Sequence, residues 1–461
     1  MFPPIIYVRR RGVLKQSVGS GILLFLGNEE SSMNYGANVY RFRQDSTFLY
    51  YWGLDYASLA ALIDIDNRKE MIFGNDPTVD EIVWTGPQIL IKDKAAKAGV
   101  TETLPVGKLG EVLNVAIKQG RKIHFVRQYR PENILRIQEL LGIPAHQVNE
   151  SASVDLTRAV VAQRSVKSLE EVKEIEHAVD LTRDMQFLAM RMIKPGLVER
   201  EIAGAMEGLA LSKGGGLSFP VIFSIHGETL HNPYHENKMK SGNIVVNDCG
   251  AESSLHYAGD LTRTLPVGGK FTQKQKEIYQ IVLDAQKKAI AMVAPGIPYK
   301  DVHRTSCTAL ASGLKDLGLM KGNIDEAVQV GAHAMFFQCG TGHMMGLDVH
   351  DMENLGEEFV GYDDRTQRSR QFGLCYLRLA KPLQPGFVVT VEPGIYFIPA
   401  LFDSWKAEKK FDQFLNYSVI SKYMDFGGVR IEDDLLVMPK GNRILGKKLA
   451  KSISEIESAC S

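Results

Sequence analysis

Cysteine is scarce and odd in number: five in 461 residues, at positions 249, 307, 339, 375 and 460. No two have C-x-x-C spacing, so neither a disulfide frame nor a zinc knuckle is expected, and free thiols point to a reducing cytoplasm. An excess of one charge is also missing. Lys plus Arg number 54 and Asp plus Glu 54, which leaves no global field to draw the chain onto nucleic acid or an anionic membrane. Apolar runs such as Ile22–Leu26 are far too short to cross a bilayer. The segment MFPPIIYVRRR carries its charges after its few apolar residues, the reverse of a signal peptide. What remains is 44% hydrophobic and 23% charged, the composition of an ordinary globular chain with room for two or three domains.

Residues 1–160 read as an α/β domain. Ile22–Leu26, Leu59–Ile65 and Glu70–Phe73 have strand character, and Glu132–Leu141 is amphipathic with a Gly142-Ile143-Pro144 stop. No linker of biased composition marks the end of this domain. The boundary is expected inside Asp155–Lys167, leaving 161–461 as the second domain.

The second domain carries a design twice. Ser168-Leu169-Glu170-Glu171 and Thr272-Gln273-Lys274-Gln275 are both capping boxes. The helices they open stop at Pro195-Gly196 and Pro295-Gly296, one hundred positions apart. Each stop is followed by another amphipathic helix, about 199–212 and 299–317, and then by strand-like sequence. This predicts an internal pseudo-twofold duplication. Two similar halves packed face to face leave a cleft between them, a common place for a site.

Five separated segments of that domain set an acid or a histidine among apolar residues and glycine. They are Ile244–Gly250 with Asp248, Gly259–Thr264 with Asp260, Gly340–His350 with His343, Val388–Gly394 with Glu392, and Gly428–Asp434 with Glu432. Each alone reads as a strand-edge acid, a salt bridge or a structural histidine. Together they offer four carboxylates and one imidazole, a set suited to divalent ions such as manganese. Four carboxylates balance two divalent cations in charge. Without cations, converging carboxylates repel and take up protons. Two bridging carboxylates would hold the ions close enough to share an acidified water.

In this order the five segments resemble the metallopeptidase family with the pita-bread fold, which includes methionine aminopeptidase, aminopeptidase P, prolidase and creatinase. Tyr40-Arg41-Phe42-Arg43-Gln44-Asp45-Ser46 with Phe48 is similar to the N-terminal domain of aminopeptidase P and prolidase, so the resemblance covers essentially the whole chain. It implies an N-terminal creatinase-type α/β domain and a C-terminal pita-bread α/β domain. It implies Asp248, Asp260, His343, Glu392 and Glu432 as ligands of two divalent metals, most readily Mn2+, with Asp260 and Glu432 bridging. Glu392 would double as general acid/base. His231 and His350 would line the cleft and contact the scissile peptide, and Arg430 would support the site from behind its ligands. The partners implied are short proline-containing peptides, and the assembly a homodimer.

The branch is less determined. The N-terminal domain disfavours the short methionine aminopeptidases, and the ligand set disfavours creatinase, which has no metals. Phe426–Glu432 resembles prolidase, and Arg378 falls where prolidase grips a dipeptide's free carboxylate, a task suited to a guanidinium. An Xaa-Pro dipeptidase is thus slightly favoured over an Xaa-Pro aminopeptidase.

Two features depart from the family. Twelve positions separate Asp248 from Asp260, one more than its pattern, which a bulge near Ser253 or Ser254 would absorb. The family also has a histidine four residues before the metal-binding one, and this chain has Cys339. Cysteine is short and normally neutral. The alternative reading is therefore a catalytically weakened, metal-containing peptide-binding protein.

Overall fold

Local chemistry starts and stops the helices. Ser168 Oγ accepts from the Glu171 N–H while Glu171 Oε2 accepts from the Ser168 N–H at 3.0 Å, so both first-turn donors are satisfied. Thr272 and Gln275 make the same reciprocal pair. Gly142 closes the helix Pro131–Leu141 in the left-handed conformation, φ 69°, which a side chain would resist.

The structure is a computed structural model that describes residues 1–461. The chain divides into two units. One holds Met1–Arg164 and Met352–Phe359, the other Ser165–Asp351 and Val360–Ser461. The return of 352–359 to the first unit has no counterpart in local sequence pattern.

The first unit is built on a five-stranded mixed sheet. Its strands are β1 (Ile22–Leu26), β2 (Ala60–Asp64), β3 (Lys69–Phe73), β4 (Glu102–Leu104) and β5 (Ile123–His124), in the order β4-β3-β2-β1-β5. β1, β2 and β3 pair antiparallel, whereas β4 and β5 join the edges parallel. The helices α1 (Leu109–Lys118) and α2 (Pro131–Leu141) supply Leu109, Leu113 and Ile137 to the same core as Ile22, Leu24, Leu62 and Phe73. In the Tyr40–Phe48 segment, Asp45 Oδ1 accepts from the Phe48 N–H at 2.8 Å and caps the helix Ser46–Trp52.

The second unit repeats one arrangement. Its first half contains α3 (Leu169–Met192), α4 (Glu199–Lys213) and the antiparallel sheet of β6 (Ile222–Ser224), β7 (Ile244–Cys249) and β8 (Leu261–Pro266), in the order β8-β7-β6. Its second half contains α5 (Gln273–Met292), α6 (Tyr299–Asp316), the pair β10 (Gly394–Tyr396) and β11 (Gly428–Arg430), and the sheet of β9 (Val388–Val391), β12 (Asp433–Val437) and β13 (Asn442–Ile444). The duplication extends to backbone detail. Gly196 and Gly296 both have positive φ, 97° and 82°. Their N–H groups donate to Met239 O at 2.9 Å and Leu383 O at 2.8 Å. One residue pair further on, Val198 bridges Lys238 and Pro298 bridges Pro382.

The predicted bulge between Asp248 and Asp260 does not form. β8 and β7 pair Thr262 with Asp248, and the same register continues through the Glu252–Ala258 bridge and the Ser253 N–H to Tyr257 O bond of 2.8 Å. The extra residue goes into the turn, where His256 takes a φ of 67°. A hairpin tip accommodates an added residue without displacing the ladder, so a bulge is unnecessary.

One buried ion pair ties the start of the second unit to the loop bearing His343. Lys167 Nζ lies 2.8 Å from Asp351 Oδ2, with both side chains 1% exposed. The Lys167 N–H donates to Gly386 O and the Asp351 N–H to Met344 O, both within 2.9 Å. Lys167→Met should leave the Asp351 carboxylate buried without its cation and lower stability by about 3–5 kcal/mol. Urea unfolding followed in the second unit checks this; an unchanged midpoint would show the pair to be dispensable.

Candidate active site

The four singled-out acids lie at or beside strand ends in both halves of the second unit, and His343 joins them from a loop. Asp248 lies on β7, and Asp260 immediately precedes β8. Glu392 follows β9, and Glu432 stands between β11 and β12. His343 sits on an irregular loop held against β9. Its N–H donates to Thr390 Oγ1 at 3.1 Å, its carbonyl accepts from the Thr390 N–H at 3.1 Å, and Thr341 O accepts from the Glu392 N–H at 2.7 Å. The approach is close enough that a Cβ at Gly342 would collide with Thr390 O and the Tyr299 hydroxyl.

His343 Nδ1 lies 3.1 Å from Met344 O. That bond holds the proton on Nδ1 and turns Nε2 toward the acids. Nε2 is 3.5 Å from both Asp260 Oδ2 and Glu392 Oε1. One ligand atom each from Asp260, His343 and Glu432 falls within 4.8 Å of the others.

Three further groups orient the acids. Arg430 Nη2 donates to Asp248 Oδ2 at 2.6 Å and Nη1 to Tyr396 Oη at 2.9 Å. The Thr262 hydroxyl donates to Glu432 Oε2 at 2.7 Å. The Asp260 N–H donates to Asp434 Oδ2 at 3.0 Å. Asp434 and Thr262 lie within the five segments, yet neither stands out there by residue type. Period two is the signal that marks them: Thr262 follows Asp260 by two and Asp434 follows Glu432 by two, the spacing that returns a side chain to the same face of extended chain.

The electrostatics are those of crowded acids. Burial, then the charge of Glu432, pushes the Asp260 carboxyl well up. Burial, then Glu392, does the same to Glu432. Glu392 is pushed up to about 7, mainly by burial, with Arg430 opposing. Burial, then His350, holds His343 well below the usual imidazole range, so it is neutral. Asp248 Oδ1, Asp260 Oδ1, Glu432 Oε1 and Asp434 Oδ1 are buried without a hydrogen-bond partner. Unpartnered buried carboxylate oxygens are costly. Oxygen-rich donors around one neutral imidazole suit divalent cations, so the residues present fit a metal pair.

A cavity of about 750 Å3 opens over these acids. His231, His350, Arg378 and Cys339 line it with the five ligand candidates and Arg430. The His350 ring meets that of His343 edge-on, with centroids 4.3 Å apart. Burial, then Arg430, lowers the His231 pKa. Burial, then the charge of Glu392, pushes the Cys339 thiol up to about 12, so it is neutral. No helix is long and apolar enough to cross a membrane.

Comparison with known proteins places the chain in a family. The model of metallopeptidase family M24 matches residues 173–439, and that of the aminopeptidase P N-terminal domain matches 7–124. An Xaa-Pro aminopeptidase of Haemophilus influenzae is 30% identical over 98% of this chain and 95% of its own length. The human Xaa-Pro dipeptidase is 28% identical over 96% of this chain and 89% of its own. Among solved structures, aminopeptidase PepP of Pseudomonas aeruginosa superposes with a TM-score of 0.83 at 25% identity, covering 100% of this chain and 98% of that one. A zinc-substituted Escherichia coli aminopeptidase P with product gives 0.80 at 26% identity, with coverage of 100% and 98%.

Cations should therefore stabilise the fold. Adding Mn2+ to about one hundred times its dissociation constant should contribute about 2.7 kcal/mol. Asp260→Asn, which removes a central acid, should abolish most of that gain. Calorimetry on both forms checks this, and equal gains would exclude Asp260 as a ligand.

Proposed function

The chain belongs to metallopeptidase family M24, and from that membership we propose that it hydrolyses the Xaa-Pro bond at the N-terminus of short peptides. Asp248, Asp260, His343, Glu392 and Glu432 would hold two divalent ions. The supporting observation is the set of unpartnered buried oxygens on Asp248, Asp260 and Glu432 around the His343 imidazole. The proposal extends to Mn2+ as the native pair, a homodimer and the cytoplasm. Five unpaired cysteines are in keeping with that compartment.

Bound there, the ions would supply a Lewis acid for the scissile carbonyl and a water acidic enough to serve as nucleophile near neutral pH. The chain's own groups do the rest. Glu392, whose Oε1 lies 3.5 Å from His343 Nε2, takes the proton of the attacking water and passes it to the leaving proline nitrogen. His231 and His350, on the cavity wall, donate to the carbonyl oxygen as its charge grows. Arg430 fixes Asp248 through their 2.6 Å contact. Arg378 donates to a dipeptide's terminal carboxylate.

Assays of proline release from an Xaa-Pro dipeptide and of first-residue release from an Xaa-Pro-Xaa tripeptide, both with Mn2+, test the function. Turnover of neither would overturn it. Arg378 decides the branch. If it grips a free carboxylate, Arg378→Ala should cost about 2–4 kcal/mol in kcat/KM on dipeptides, the range for breaking a desolvated charge pair. Tripeptides, with no carboxylate at that position, should lose much less. Equal losses would make Arg378 structural and the chain an aminopeptidase.

Cys339 favours a second reading, that of a weakened catalyst which mainly binds peptides. Its neutral thiol stands on the cavity wall near Glu392 and Tyr396, where it is a poor donor to a developing oxyanion. A lost donor of this kind costs about 100- to 1000-fold in rate. His231 and His350 remain, so the loss here is smaller. Cys339→His should raise kcat on Xaa-Pro substrates at least about fivefold with metal content unchanged. An unchanged kcat would mean that the thiol does not limit the reaction.

A further inference from the structure

A second group of metal-type side chains lies in the same unit, and the proposed reaction does not use it. His303 and Cys307 stand four residues apart on α6 and so share one helix face. His333 joins them from the short 3-10 helix Ala332–Met335, which follows the helix Ile324–Val330. All three are buried, and one ligand atom from each lies within 4.8 Å of the others. We propose that His303, Cys307 and His333 form a third, sulfur-containing metal site that takes a borderline-soft divalent cation such as Zn2+.

The geometry supports this in three ways. His303 Nδ1 lies 2.9 Å from Thr341 Oγ1. A proton donated there leaves the Nε2 lone pair facing Cys307 Sγ, 3.4 Å away. With Zn–S near 2.3 Å and Zn–N near 2.0–2.1 Å, two tetrahedral ligands stand roughly 3.5 Å apart. His333 Nδ1 is buried and has no hydrogen-bond partner, which is unusual for a polar atom in a protein interior. Burial also lowers the pKa of His303 to about 3 and that of His333 to about 4, so both imidazoles are neutral and able to donate a lone pair. On binding, the Cys307 thiol would lose its proton to solvent and the thiolate would bind the cation, with a solvent molecule in the fourth position.

The donor set separates this site from the first. Four carboxylates and one imidazole suit hard or borderline ions, whereas a thiolate and two imidazoles suit zinc. The sites are linked through Thr341, whose hydroxyl meets His303 and whose carbonyl accepts from the Glu392 N–H at 2.7 Å. A cation bound to His303, Cys307 and His333 would therefore pin α6 against the loop that carries His343.

Cobalt gives a readout specific to sulfur. The full chain loaded with Co2+ should show a thiolate-to-cobalt charge-transfer band in the near ultraviolet, because the five ligand candidates of the carboxylate-rich site include no sulfur. Cys307→Ser should lose the band, retain the other two ions and bind two metals per chain where the parent binds three. Cys339→Ser and Asp260→Asn should keep the band, which separates failure of this proposal from failure of the dimetal reading. His333→Gln should weaken the third ion at least about tenfold. Absence of the band from the fully loaded parent would overturn the proposal and leave a thiol–imidazole hydrogen bond at this position. A band that follows Cys339 instead of Cys307 would overturn it equally.

Discussion

Like charges buried together govern the second unit. Asp248, Asp260 and Glu432 are all nearly inaccessible to water, and Asp434 is completely so. The charges of the neighbouring acids add to the cost of burial and raise the carboxyl groups of Asp260, Glu432 and Asp434 together. Arg430 offsets part of this through Asp248 and Glu392, with Arg378 acting on Glu392 and Arg263 on Asp434, yet Asp260, Glu432 and Asp434 stay raised. Two divalent cations, as proposed, would balance these charges and would supply the missing partners of the unpaired oxygens as well. A feature that opposes folding of the apo chain is therefore the one on which the proposed reaction rests. That is the usual relation between a strained site and its function.

The acids are held apart from one another mainly by backbone. The Asp260 N–H is committed to Asp434, the Glu432 N–H to Thr262 O at 3.1 Å, and the Glu392 N–H to Thr341 O. Side-chain freedom is then restricted by Thr262 on Glu432 and by Arg430 on Asp248. Arg430 itself is anchored on Tyr396 and lies 3.3 Å from Thr262 Oγ1. Acids anchored this way, as Glu432 and Asp248 are, would meet a cation with little reorganisation in the proposed site.

What is legible in the sequence is what is determined locally. The capping boxes at Ser168 and Thr272, the Pro-Gly stops and the Gly142 terminus act within a few residues, and the helices begin and end beside them. The five chemical segments are legible because a carboxylate or imidazole within an apolar strand is conspicuous. Pairing is not legible. Nothing local announces that β7 is flanked by β6 and β8, or that residues 352–359 return to the first unit. The turn at Ser253–Tyr257 reads as a bulge because spacing counts residues without showing where the ladder ends. Asp434 and Thr262 escape notice because their roles arise from contacts across more than 150 positions, such as Asp260 with Asp434 and Thr262 with Glu432.

The duplication explains why the site is asymmetric on a nearly symmetric frame. Each half supplies a strand ladder whose ends deliver acids: Asp248 and Asp260 from the first, Glu392 and Glu432 from the second. The bonds that aim these acids cross from one half to the other. Arg430 reaches back to Asp248, Asp434 accepts from Asp260, and Thr262 donates to Glu432. Asp248, Asp260 and Glu432 are thus positioned across the halves, whereas Glu392 and His343 are held by Thr341 and Thr390 within the second. Only the second half adds a long irregular segment after its helix pair, and that segment carries His343 and His350. One half thus contributes two acids and the other two acids, an imidazole and much of the cavity wall. The cavity over the acids is accordingly lined by His231 from the first half and by His343, His350 and Arg378 from the long segment of the second, so most of the asymmetry of the site comes from the part of the duplicated frame that diverged.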